Sequence, residues 1–149
     1  MGATPRSGGE AERSRSYAGD LTPREAWDLL SQKPQAVLVD VRTEPEWAFV
    51  GVPDLRPLHR EARLVSWQDY PSMARNPRFG EGLADLPKDA PILFLCRSGG
   101  RSRAAAIAVT ALGFAQCFNV AGGFEGDIDG DGHRGVGGWK AAGLPWRQS

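Results

Sequence analysis

The chain is poor in cysteine, with two thiols in 149 residues, and equally poor in histidine, with two. Two thiols do not make a secreted disulfide framework, and a domain of this length does not need one. The cysteine usage implies a reducing, cytoplasmic setting, and it leaves a single bond between Cys96 and Cys117 open. His59 and His133 stand without neighbouring Cys or His, which argues against zinc. No apolar run reaches the roughly 18 residues a membrane helix needs. Net charge of either sign is missing as well: 18 basic residues balance 18 acidic ones, so the total points to neither nucleic acid nor membrane. No internal repeat is visible. Residues 1–16 hold Gly, Ser, Arg and Glu but no apolar segment, which excludes a secretory signal, and Glu10 and Glu12 count against a transit peptide. A disordered leader over 1–16 followed by a single domain over 17–149 is the expectation.

What the chain does have is an alternation of helix and strand signals. Thr22-Pro23-Arg24-Glu25 is a capping box with proline at the first helical position, and Ala26, Leu29 and Leu30 form an apolar stripe that ends at Pro34. Ala36 to Val41 is a continuous, largely β-branched run, as expected of a strand buried on both faces. Leu64-Val65 is a further short apolar run, and Asn76-Pro77 predicts the start of a helix through Phe79, Leu83 and Leu86. Pro91 to Leu95 is the second strong strand. An alanine-rich helix is expected from Arg101 to Leu112, with Gly113 at its C-cap. Phe118-Asn119-Val120 reads as a last strand, Gly122-Gly123 as a break, and Trp139 to Ala142 as a short helix. Val50 to Arg75 shows no regular pattern. Strands alternating with helices imply an α/β sandwich around a mainly parallel sheet.

The second strand runs directly into Cys96-Arg97-Ser98-Gly99-Gly100-Arg101-Ser102. A turn from the carboxyl end of a parallel strand into a helix leaves several backbone amides unpaired and aimed at one point. Gly99 and Gly100 let the backbone curl into an anion cradle, to which the helix N-terminus, Arg97 and Arg101 add positive charge. A cysteine at the base of such a cradle is expected as a reactive thiolate, and the same donors stabilise charge on a sulfur under attack. The plain alternative is an inert thiol following an apolar strand, and solvated surface charges for the two arginines. The glycines and arginines directly after Cys96 favour the chemical reading, and Arg101 in the first helical turn, where a cation is otherwise unfavourable, carries it further than Arg97.

These residues resemble the active-site loop of rhodanese domains. Leu38-Val39-Asp40-Val41-Arg42-Thr43 with Glu46-Trp47 is similar to the family's Asp-x-Arg segment and its acidic-aromatic follower. Asn119-Val120-Ala121-Gly122-Gly123-Phe124 is similar to its closing strand and Gly-Gly turn. The resemblance covers about Asp20 to Trp146, with the blocks in the family's order. It implies a rhodanese-like three-layer sandwich, a parallel five-stranded sheet flanked by helices. It also implies a two-step reaction in which Cys96 takes a sulfane sulfur from thiosulfate or another persulfide and passes it to cyanide in assay or to thiols in cells. On this resemblance the amides of Arg97, Ser98, Gly99, Gly100, Arg101 and Ser102 cradle the persulfide, and Arg101 helps to bind an anionic donor. No cofactor is implied beyond the covalent Cys96 persulfide, and the implied partners are small sulfur donors, thiol acceptors and a sulfur-relay protein. Val50-Gly51-Val52-Pro53-Asp54-Leu55 departs from the family's Gly-His-Ile-Pro-Gly-Ala stretch by lacking the histidine.

Two rivals use the same loop. Cysteine-dependent phosphatases and arsenate reductases are the first, but there the anion-binding arginine lies six residues after the cysteine, where this chain has Ser102, and Arg103 lies too far along the helix. A protein-to-protein persulfide carrier or partner-binding module is the second, and the sequence does not separate a carrier from an enzyme. Asp40 and Arg42 end a buried strand near the loop and are expected to order its turn as a charge pair. Cys117 reads as packing, with a lesser reading as a thiol that resolves a Cys96 persulfide. Asp127, Asp129 and Asp131 with Gly132 match the first half of an EF-hand loop, but Gly138 stands where the bidentate glutamate belongs, so a polar turn is expected. Of the tryptophans (Trp27, Trp47, Trp67, Trp139 and Trp146), most are expected in the core or at the pocket rim.

Overall fold

The computed structural model describes residues 16–128 and 130–148. Its elements are β1 (Gly19–Leu21), α1 (Pro23–Gln32), β2 (Val37–Asp40), α2 (Glu44–Val50), β3 (Val52–Pro53), β4 (Arg63–Leu64), β5 (Gln68–Asp69), β6 (Ala74–Arg75), β7 (Pro91–Leu95), α3 (Gly100–Ala111), β8 (Gln116–Val120), β9 (Asp127–Ile128), β10 (Arg134–Val136), α4 (Gly138–Ala141) and β11 (Trp146–Arg147). Short 3-10 turns cover Arg56–Leu58 and Phe79–Leu83.

The central sheet has five strands in the order β1-β8-β7-β2-β4, and every pairing in it is parallel. β7, Pro-Ile-Leu-Phe-Leu, is buried at every position because helices cover both faces of the sheet. On one face Val39, Ile92, Phe94 and Cys117 pack beneath Ala105, Ala106 and Val109 of α3 and against Phe79 and Leu83. On the other, Leu38, Leu93, Leu95 and Val120 pack against Ala26 and Leu30 of α1 and Trp139 of α4. These are the three layers implied by the rhodanese resemblance.

The capping box forms as read: Glu25 N–H donates to Thr22 Oγ1 at 3.1 Å, and Thr22 N–H donates to Glu25 Oε1 at 2.9 Å. At the other end of α1, Arg60 donates to the carbonyls of Leu30, Lys33 and Ala36, which closes the helix with a cation at its negative pole. α3 begins and ends within one residue of its expected limits, at Gly100 and Ala111.

Three expectations change. The helix expected from Asn76 is a 3-10 turn over Phe79–Leu83, because Gly80 and Gly82 interrupt it and Gly82 lies so close to Val65 that a Cβ would sit 2.8 Å from its Cγ1. α2 lies where no helix was expected, and it starts at a second capping arrangement in which Thr43 N–H donates to Glu46 Oε1 at 3.1 Å. Asp127 and Arg134–Val136 belong to an antiparallel β9–β10 pair; Asp129, part of the EF-hand-like pattern, lies outside the described residues. Among the described residues, no group of His, Cys, Asp or Glu is arranged to hold a metal ion, and no helix is long and apolar enough to cross a membrane. The expected leader, apart from Ser16, also lies outside the described residues.

Candidate active site

Side chains alternate along β7, so Ile92 and Phe94 face α3 while Leu93 and Leu95 face α1. Cys96 continues the first set and is 1 % exposed beneath the first turn of α3. There Gly99 N–H donates to Sγ at 3.1 Å, and Ser102 Oγ lies 3.2 Å from Sγ. Gly99 turns its amide inward with a φ of +121°, a conformation that side-chain-bearing residues rarely adopt. No side chain caps α3, and its first intrahelical bond runs from Arg103 N–H to Gly99 C=O at 3.1 Å. The amides of Gly100, Arg101 and Ser102 therefore precede the hydrogen-bonded ladder at the positive pole of the helix.

The closing turn braces this loop through its backbone. Phe124 N–H donates to Cys96 C=O at 2.7 Å, and the N–H groups of Glu125 and Gly126 donate to Arg97 C=O at 3.0 and 3.3 Å. Gly123 lies against the same peptide at φ +61°, and a Cβ there would fall 2.4 Å from Cys96 O and 2.5 Å from Arg97 O. Only glycine leaves room for that approach, so the Gly-Gly turn and the cysteine loop are two sides of one contact.

The charged residues separate in role. Arg101 reaches across to α2 and donates to both carboxylate oxygens of Glu46, at 2.8 and 2.9 Å. Burial pushes the Glu46 carboxyl up, but hydrogen bonds from Arg101 and from the Thr43 N–H outweigh it and hold the group at about 2. The arginine expected to meet an anionic donor is thus anchored by a carboxylate at the loop. The Arg97 side chain is exposed, Ser98 is half-buried, and Gly100 is exposed at the start of α3.

Asp40 and Arg42 are both fully buried and joined at 2.7 Å. Arg42 also donates to Gly51 C=O at 2.7 Å and lies 4.3 Å over the Phe124 ring, whose own amide holds Cys96. Its Nη1 has no hydrogen-bond partner, so the ring face is its compensation. The pair connects the end of β2 to the start of β3 and to the closing turn.

Cys117 is placed elsewhere. It is opposite Ile92 in the β7–β8 register, and Cys96 lies four residues beyond Ile92. At a parallel-strand rise that is roughly 13 Å, whereas a disulfide needs Cα atoms about 4.4–6.8 Å apart. Both cysteines are free, and the reading of Cys117 as a resolving thiol is withdrawn on this register. Burial pushes the Cys117 thiol up, against a smaller opposing contribution from Thr110.

Three residues at the site escape a reading along the chain. Glu46 was visible only as part of an acidic-aromatic pair, although Thr43 followed by Glu46 carries the signature of a helix start. Asn119 receives the Ser102 hydroxyl on its Oδ1 and donates from Nδ2 to Asp20 at 2.9 Å. A polar residue inside the apolar strand Phe118-Asn119-Val120 was its signal. Asp20 had none.

The described geometry has close counterparts. A crystal structure of Rv0390 from Mycobacterium tuberculosis superposes with a TM-score of 0.83 at 53% identity, covering 89% of this chain and 99% of that one. An uncharacterised protein of Rickettsia conorii is 39% identical over 131 residues, 86% of this chain and 96% of its own length. The probable adenylyltransferase/sulfurtransferase MoeZ of M. tuberculosis is 35% identical over 103 residues, 69% of this chain but 23% of MoeZ. The family model for the rhodanese-like domain matches residues 22–128, a span that contains the Asp40–Arg42 pair, the Cys96 loop and the Gly122-Gly123 turn, and the chain belongs to the rhodanese-like domain family.

Proposed function

We propose that the protein is a sulfurtransferase that moves a sulfane sulfur through a persulfide on Cys96. The observation that carries this reading is the position of Cys96 Sγ, 3.1 Å from the Gly99 amide at the uncapped N-terminus of α3. In the first step the Cys96 thiolate attacks the sulfane sulfur of thiosulfate; a new S–S bond forms, and sulfite leaves with the electron pair of the old one. In the second, a nucleophile such as cyanide or a thiol attacks the outer sulfur, and Cys96 departs as a thiolate. Backbone donors around the loop offset the negative charge in both steps without reorganising. Arg101 adds a cation whose orientation Glu46 sets.

The matched span of MoeZ, named as a probable sulfurtransferase, supports the class of reaction. Phosphatase or arsenate-reductase chemistry is disfavoured because the residue six places after Cys96 is Ser102, and Arg103 is 55% exposed beside Asp20 at 3.7 Å. A second reading has its own observation: Cys96 is 1 % exposed, which suits delivery of sulfur by a docked protein or a thiol acceptor entering a narrow mouth. Two free, buried thiols are consistent with the reducing cytoplasm we assign to it.

The test is thiocyanate release from thiosulfate and cyanide. Turnover by the wild type with none from Cys96→Ser supports the enzyme. Absence of turnover from thiosulfate, with turnover when a protein persulfide is supplied, moves the assignment to a carrier. Hydrolysis of an aryl phosphate without sulfur transfer overturns both.

A further inference from the structure

Ser102 is fully buried and its hydroxyl has one proton, yet three acceptors surround it: Cys96 Sγ at 3.2 Å, Gly99 C=O at 3.2 Å and Asn119 Oδ1. Asn119 is itself 1 % exposed, and its orientation is not free. The Asp20 carboxylate only accepts, so the Nδ2 group donates to it at 2.9 Å and Oδ1 is turned toward Ser102. A carbonyl oxygen cannot donate, so the contact between Oδ1 and Ser102 Oγ requires the serine proton. While Ser102 gives its proton to Asn119, it presents a lone pair to Cys96.

We propose that Asn119, pinned by Asp20, is a positioning residue that makes Ser102 a reversible donor following the charge on Cys96 Sγ. The inference deepens the sulfurtransferase reading and rests on it for its place in the cycle. When Sγ is neutral, as a thiol or as the inner sulfur of a persulfide, the Ser102 proton stays on Asn119 Oδ1. When Sγ is anionic, before sulfur uptake and again as the leaving group when the outer sulfur departs, the hydroxyl rotates and donates to Sγ. Gly99 N–H donates to Sγ in either state. No covalent bond changes in the switch; one hydrogen bond is exchanged for another. The outcome is a thiolate that is stabilised when it must leave but not locked in place between turnovers.

Charged groups around the cluster come from every neighbouring element: Asp20 from β1, Asp40 and Arg42 from the end of β2, Glu46 from α2, Arg97, Arg101 and Arg103 from the loop and α3, Glu125 from the closing turn, and Lys140 from α4. Asn119→Leu changes none of these charges and is close to isosteric. A response of the sulfur to this substitution therefore reports hydrogen bonding.

The experiment is the pH dependence of Cys96 alkylation by iodoacetamide in full-length protein carrying Cys117→Ala, so that one thiol remains. Asn119→Leu releases the serine proton to the thiolate and is expected to lower the pH midpoint by about one pH unit, with Ser102→Ala raising it by about as much. In the double variant the Asn119 substitution is expected to do nothing further. An unchanged midpoint in Asn119→Leu, or the same displacement with and without Ser102, overturns the proposal. Should Asn119→Leu not fold, the partly exposed Asp20 gives an independent comparison. Asp20→Asn keeps an acceptor for the Asn119 amide, whereas Asp20→Ala lets it turn, so Asp20→Ala must fall below Asp20→Asn, and only when Ser102 is present. Alkylation reads the thiolate whether or not thiosulfate loads it. A switch that passes this test beside a protein that accepts no sulfur would refute the sulfurtransferase reading alone.

Discussion

The two cysteines lie on adjacent strands, on the same face of the sheet and under the same helix, and they sit in opposite chemical settings. Cys117 is paired in register with Ile92, in the middle of the sheet, where α3 presents its later turns and burial pushes the thiol up. Cys96 lies one residue past the end of β7, where the first turn of α3 presents N–H groups and no side-chain cap. Both residues are 1 % exposed or less, so burial does not distinguish them. Position along the strand does: the carboxyl end of a parallel sheet brings a thiol to the positive pole of the following helix, and a few residues earlier the same helix offers only alanine and valine.

If that contrast is correct, the end of the sheet is sustained by polar clamps and the middle by packing, and the two should respond differently to substitution. Arg42→Leu strands the buried Asp40 carboxylate and is expected to cost about 3–5 kcal/mol in urea unfolding. A near-neutral result would break the comparison at its strongest point. Gly123→Ala forces a Cβ into the Cys96–Arg97 peptide. Displacing the nucleophile by about 1 Å is expected to lower kcat/KM by roughly a hundredfold, while Cys117 stays unaffected in alkylation of the native protein.

Glu46→Gln sharpens the contrast through pH. The folded-state carboxyl is held at about 2, below its ordinary 4.5, so its ion pair with Arg101 stabilises the fold above pH 4.5 and is lost as pH falls toward 2. The variant is expected to be about 1–3 kcal/mol less stable at pH 7, a deficit that thermal melts should show closing across that acid window. Cys117→Ala is the smallest change: a loss of about 1 kcal/mol from reduced packing, with sulfur transfer at the wild-type rate.

How much of this was legible in the sequence follows the distance between interacting residues. The Cys96 loop is local, and its cysteine, glycines and helix start stand within one short segment, so both the strand-to-helix turn and its chemistry could be read directly. β7 declared itself through an unbroken apolar run. The clamps were hidden because their partners are remote: Glu46 lies 55 residues from Arg101, and Asp20 lies 99 from Asn119. β1 is three residues long, too short for any periodicity to register. α2 could have been read, since Thr43-Glu44-Pro45-Glu46 repeats the logic of Thr22-Pro23-Arg24-Glu25; proline in the middle of the motif obscured it. The apolar spacing of Phe79, Leu83 and Leu86 suggested a helix, and Phe79 and Leu83 are buried as that spacing implies, but the glycines between them admit only a tighter turn.

The most direct test of the account is the intact mass of the protein after incubation with thiosulfate, with the modified cysteine located by peptide mapping. The account predicts a gain of one sulfur atom, on Cys96, absent from Cys96→Ser and discharged by cyanide. Sulfur found on Cys117, or a gain that survives in Cys96→Ser, would contradict it.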